Sequence, residues 1–102
     1  MVPPKKIRQF PDAQRFEPEK AKKLIRAIIK TGVVVTGPHA RDQMAARRLD
    51  MADILNVLRG GWVEEPEFEN GVWRYRVQTN RQCVVVEFRS ESEIVIVTAW
   101  RF

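Results

Sequence analysis

One cysteine, one histidine and no long apolar run leave this chain few chemistries to choose from. The lone Cys83 excludes an internal disulfide and any cysteine-based metal site. With only His39 beside it, a tetrahedral zinc centre lacks its ligands. Placed in an apolar run, Cys83 reads as a small buried hydrophobe. No segment approaches the roughly 20 apolar residues of a membrane helix, and no leader peptide is recognisable, so a soluble, cytoplasmic chain is expected. There is no Gly-rich phosphate loop, no paired-acid or His-Glu metal spacing, no local Ser-His-Asp motif and no internal repeat. Glu64, Glu65, Glu67 and Glu69 are the densest acidic cluster, but they lack the Asp/Asn-Gly scaffold of a cation loop. Neither a metal nor a cofactor is expected.

What remains is mostly positive charge. The 102 residues carry a net charge of +5 and a pI of 9.9, a balance that suits nucleic acid or another acidic partner. Residues 1–30 hold nine Lys or Arg against Asp12, Glu17 and Glu19. The length is that of one domain. Residues 1–16, with Pro3, Pro4, Pro11 and four basic residues, read as a flexible basic arm, and 17–102 as the domain.

Glu17-Pro18 opens a first helix, with proline where no amide donor is needed. Ala21, Leu24, Ile25 and Ile28 form its apolar stripe, Lys22, Lys23, Arg26 and Lys30 lie opposite, and Gly32 ends it. Val33–Thr36 is a short extended run. Gly37-Pro38 starts a second helix over roughly 38–48. At about 100° per residue, His39, Gln43 and Arg47 share one flank beside a buried edge made by Ala40 and Met44, while Arg41 and Arg48 lie on the other flank. Asp50 caps a third helix with Ile54, Leu55 and Leu58 inward, stopped by Gly60-Gly61.

From Trp62 onward the pattern is strand-like. Trp62–Phe68 is an acidic strand interrupted by Pro66, which confines it to an edge or an irregular ladder. Asn70-Gly71 marks a hairpin. The runs 72–79, 82–88 and 93–100 follow at short turns, so they must be antiparallel neighbours. The last two are apolar on both faces, as central strands are. The expected architecture is α+β: two to three N-terminal helices packed on a four-stranded antiparallel sheet.

Alternation puts Arg74, Arg76 and Gln78 on one face of their strand and Trp73, Tyr75 and Val77 on the other. Two guanidiniums about 7 Å apart on a rigid sheet can chelate a phosphate; the same pair also suits a merely solvated face. Trp62, Trp73, Tyr75 and Trp100 suit either base stacking or the core. His39 suits general acid–base work or local packing at a helix end.

The order of these pieces resembles a family. His39-Ala40-Arg41-Asp42-Gln43-Met44-Ala45-Ala46-Arg47, then Arg74-Tyr75-Arg76, then a terminal strand ending in Val97-Thr98, is similar to a family of small bacterial domains of unassigned function. Its signature is His-Ala-x-x-x-Met-x-x-Arg, Arg-Tyr-Arg and Val-Val-Thr. That family resembles the RelE- and BrnT-like toxins of the barnase, colicin and RelE group of ribonuclease folds. In it the arginine matching Arg47 is usually followed by a small residue, where this chain has Arg48. The resemblance covers about 38–102.

It implies an RNA-cleaving toxin held in check by a cognate antitoxin. The motif residues carried over are His39, Arg47, Arg74, Arg76 and Thr98, with Arg41, Gln43, Arg48, Tyr75 and Arg81 as further RNA contacts. Metal-free RNA cleavage needs a base for the 2′-hydroxyl, an acid for the leaving 5′ oxygen, and cations for the charge on phosphorus. His39 is expected to be the acid or base. Arg74 and Arg76 would hold the scissile phosphate, Arg47 would assist, and Thr98 would hydrogen-bond the histidine or the phosphate. Two other readings stay open: a nucleic-acid-binding domain without catalysis, and an interaction protein that binds an acidic partner through its basic face.

Overall fold

The structure is a computed structural model and describes residues 14–102. Among them are three helices: α1 (Pro18–Thr31), α2 (Pro38–Ala46) and α3 (Met51–Gly60). The strands are β1 (Val33–Thr36), β2 (Trp62–Val63), β3 (Glu67–Glu69), β4 (Val72–Gln78), β5 (Gln82–Ser90) and β6 (Glu93–Arg101). The sheet runs β1-β6-β5-β4-β2, with β3 also on β4. The expected antiparallel meander is its centre. The addition is β1, which pairs parallel with β6 through Val33↔Glu93 to Thr36↔Ile96. Parallel neighbours need a crossover of about a dozen residues or more, and here α2, α3 and four strands lie between the two.

The helix signals act as read. Pro18 stands at the start of α1, and the Gly32 amide closes it on the Ile28 carbonyl at 2.7 Å. Asp50 and Asp53 form a reciprocal capping box at α3, at 2.9 and 3.0 Å. The inward residues of α3 are Ile54, Val57 and Leu58, while Leu55 is only half-buried. Gly61 follows, and a Cβ there would lie 2.6 Å from the Gln78 carbonyl oxygen, so the end of α3 can close on β4 only as glycine. Asn70 and Gly71 both have positive φ, 51° and 84°, the mark of the twist-matched hairpin turn.

The second helix ends earlier than its pattern suggests, at Ala46 rather than 48. Arg48 adopts φ 53°. Its amide donates to the Ala45 carbonyl at 3.3 Å and the Leu49 amide to the Met44 carbonyl at 2.8 Å. This is the double hydrogen bond of a helix stop normally built on glycine. It turns Leu49 into the core. The position where the resembled family has a small residue is therefore a left-handed one, filled here by arginine.

One sheet face carries Tyr75, Val77, Val84, Val86, Ile94, Ile96 and Ala99, which form a single core with Ala21, Ile25, Ile28, Ala40, Ile54, Val57 and Leu58 of the helices. Cys83, Val85 and Val95 are also buried but lie outside that cluster, on the opposite face. The chain before α1 is not free at its end. Phe16 stacks edge-on against Phe88 at 5.5 Å and donates its amide to the Tyr75 hydroxyl at 2.8 Å. Arg15 bridges Glu17 and Glu65, each at 2.6 Å, and lies over the Trp73 ring. The rest of the expected arm, 1–13, falls outside the described residues. Among the described residues no helix is long and apolar enough to cross a membrane.

Candidate functional site

The second sheet face holds a depression of about 110 Å³ lined by Arg74, Arg76, Val85, Val97, Thr98, Trp100, Glu67 and Glu69. Strand register explains the assembly. Arg76 stands opposite Val85, and Val85 opposite Thr98, so the arginine and the threonine occupy one row, two strands or about 10 Å apart at the backbone. The next row is Gln78, Cys83 and Trp100. A register shift between Val85 and Val86 leaves Val97 as an extra residue in β6. Regular alternation would send Val97 and Thr98 to opposite faces; the bulge lets both line the depression.

The arginines are not bare. Arg74 Nη1 lies 2.7 Å from Glu69 Oε2 and its Nε 2.9 Å from Glu87 Oε1. Arg76 Nη2 lies 3.6 Å from Glu67 Oε1. Glu67 and Glu69 come from β3, whose Glu67 pairs with Arg74 in register, and Glu87 comes from β5. Between β2 and β3 the edge carries one residue more than β4 does, at Glu65-Pro66, after Glu64 has donated its amide to the Arg76 carbonyl at 2.9 Å. The exposed Arg76–Glu67 pair contributes less than about 1 kcal/mol, whereas Arg74 and Glu87 are both half-buried. A phosphate that offers two oxygens to a guanidinium is a stronger partner. The depression has room for a phosphate-sized group.

The remaining candidates are distributed as follows. Arg74, Arg76 and Thr98 share the depression; His39, Gln43 and Arg47 do not line it. Gly37 donates its amide to the Ile96 carbonyl at 3.0 Å, so α2 leaves the sheet at the edge of β6 and runs against that strand. His39 is exposed, and its side chain makes no hydrogen bond or ion pair with a described residue. Arg47 donates to Gln43 Oε1 at 3.2 Å, which keeps the two on the expected common flank. Arg41 is exposed. Arg48 is the helix stop, and its carbonyl accepts from Arg101 Nη2 at 2.9 Å. Arg81 lies in the β4–β5 turn, beside Asp53 and Asn56.

Tyr75 is corrected. It is 1% exposed, on the helix-facing side, and its hydroxyl is taken by the Phe16 amide. Burial pushes that hydroxyl's pKa up, against the opposing effects of the Phe16 hydrogen bond and of Arg15. It cannot reach an RNA on the other face. Trp73 shares its face and packs against the core, whereas Trp62 is 46% exposed and donates to Glu64 Oε1 at 2.8 Å. Trp100 is the aromatic in the depression. Among the polar and aromatic residues here, Glu67, Glu69 and Glu87 were not singled out as partners of the arginines, and Trp100 was read only as suited to base stacking or to the core. Alternation could have placed the three that flank Arg74 and Arg76; the bulged register of Trp100 could not be read.

The acidic cluster is thus accounted for by partners: Glu64 by Trp62, Glu65 by Arg15, Glu67 by Arg76 and Glu69 by Arg74. No curated protein and no solved structure matches the chain. Residues 36–101, which run from the end of β1 to the end of β6 and so include α2 and the whole depression, match a family model. On that match, over about two thirds of its length, the chain belongs to the family described as "Domain of unknown function (DUF4258)".

Proposed function

We propose that this protein is a cytoplasmic, metal-independent endoribonuclease, the toxin of a bacterial toxin–antitoxin pair related to the RelE- and BrnT-like toxins. The observation that carries the reading is the meeting of Arg74, Arg76 and Thr98 in one depression beside Trp100. Two cations that never titrate can bind a phosphodiester and stabilise charge on phosphorus. The hydroxyl can orient it, and the indole offers a face to a neighbouring base. The phosphate enters by displacing Glu67 and Glu69 from the guanidiniums. His39, on the helix beside β6, supplies the proton transfer, with Arg47 assisting. The test is RNA incubated with the purified protein in excess EDTA. Fragments ending in cyclic phosphate and 5′-hydroxyl are expected, and intact RNA under conditions of demonstrated binding would refute cleavage.

A second reading is favoured by one observation, that neither His39 nor Arg47 lines the depression. On this reading the same arginines hold an RNA backbone without cutting it. Salt-sensitive binding with no new RNA ends distinguishes it.

A further inference from the structure

On the helical layer, away from the arginine depression, the outer face of α1 and the C-terminal end of α3 enclose a groove of about 520 Å³. Lys23, Arg26, Lys30 and Arg59 form its rim, with Ala27 and Ile29 between them. α1 gives Ala21, Ile25 and Ile28 to the core, which at about 100° per residue leaves Lys23, Arg26, Ala27 and Lys30 on the opposite side of the helix. Arg26 Nε donates to the Arg59 carbonyl at 3.1 Å, tying α1 to the end of α3 and fixing one wall. Lys23, Arg26, Lys30 and Arg59 have no acidic partner among the described residues.

We infer that this groove docks an acidic amphipathic helix of a partner protein. Charge complementarity selects the sign. Lys23, Arg26 and Lys30 recur at i, i+3 and i+7 over about 10 Å of helix, a spacing that carboxylates on a facing helix can match. The apolar residues between the cations select a peptide over a nucleic acid. They accept an aliphatic side chain, which RNA lacks, and no aromatic lines the groove on which a base could stack. A second copy of this chain is a poorer occupant, because its acidic cluster is already engaged by Arg15, Arg74 and Arg76. The inference does not rest on the RNA reading, since the groove and the depression belong to opposite layers.

The experiment uses the full-length protein and a labelled synthetic helix with glutamates at i, i+3 and i+7 and leucines between them. Saturable binding is expected, with a scrambled peptide of the same composition about tenfold weaker or worse. The double variant Lys23→Glu/Lys30→Glu should lose about tenfold in affinity for the patterned helix. A peptide carrying lysines at the glutamate positions should regain binding to that variant. Circular dichroism checks that the variant is folded; both positions lie on a solvent-facing helix surface. The inference is overturned if scrambled and patterned peptides bind alike, or if the folded double variant binds the patterned helix as the parent does. It is also overturned if the variant loses affinity for an RNA oligonucleotide and not for the peptide, or if the parent is a dimer that the double variant dissociates.

Discussion

Arg74 Nε lies 2.9 Å from Glu87 Oε1 on the neighbouring strand, so the best-placed cation of the second sheet face is tied to a carboxylate on each side, with Glu69 at 2.7 Å on the other. Arg76, whose one ion pair among the described residues is with Glu67 at 3.6 Å, is the freer of the two. Arg76→Ala should therefore weaken RNA binding uniformly across sequences and lower the salt slope of binding by about 1. Glu87→Gln should do the reverse, raising affinity by releasing Arg74. Fluorescence anisotropy over a salt series measures both, and equal RNA affinity in all three proteins would remove the depression from the RNA path.

His39→Ala tests the chemistry apart from binding. Loss of a proton-transfer group typically lowers a rate by about 10²–10⁴. Since the His39 side chain is exposed and makes no hydrogen bond with a described residue, its removal should leave the thermal midpoint unchanged. Unaltered RNA cleavage in a folded His39→Ala protein would exclude the histidine from catalysis.

Tyr75→Phe separates the two faces of β4. It removes the acceptor of the Phe16 amide and should cost about 1 kcal/mol of stability. RNA affinity should not change, because the ring lies in the core. A selective loss of RNA binding with unchanged stability would contradict the assignment.

Arg48→Gly removes a side chain from a left-handed position, φ 53°. Relief of that strain should stabilise the fold by about 1 kcal/mol, or about 4–8 °C in Tm for a domain of this size. A lower midpoint by differential scanning calorimetry would mean that Arg48 contributes contacts that outweigh its backbone strain.

Burial pushes the Cys83 thiol from 9.0 up to about 11, with Arg76 opposing and Glu64 adding to the rise. A raised folded value means that the thiol's contribution is fully present below 9.0 and lost as pH rises toward about 11. Urea unfolding of the parent should show a decline in that interval that Cys83→Ala lacks. Identical pH slopes in the two proteins would show that the thiol does not ionise differentially.

Much of the fold was legible because its signals are local. Pro18, Gly32, Asp50 and Gly61 stand at the helix ends they were read to mark, and Asn70-Gly71 forms the hairpin turn. Pro66 interrupts the edge where a missing amide matters least. The end of α2 was not legible, because glycine is the usual sign of that stop and arginine stands in its place. The partnership of β1 with β6 was not legible either, since parallel pairing joins residues about 60 positions apart with no turn to announce it.

The sequence by itself determined that Arg74 and Arg76 share a face and that His39, Gln43 and Arg47 share a flank, because both follow from the repeat of one strand or one helix. Only the tertiary structure decided what each set meets. Register across three strands brought Thr98 into the row of Arg76, a bulge at Val97 opened the depression to β6, and the edge strand supplied carboxylates to the guanidiniums. The physical reason is that backbone periodicity fixes direction within an element, whereas pairing register and bulges depend on hydrogen bonds between distant segments.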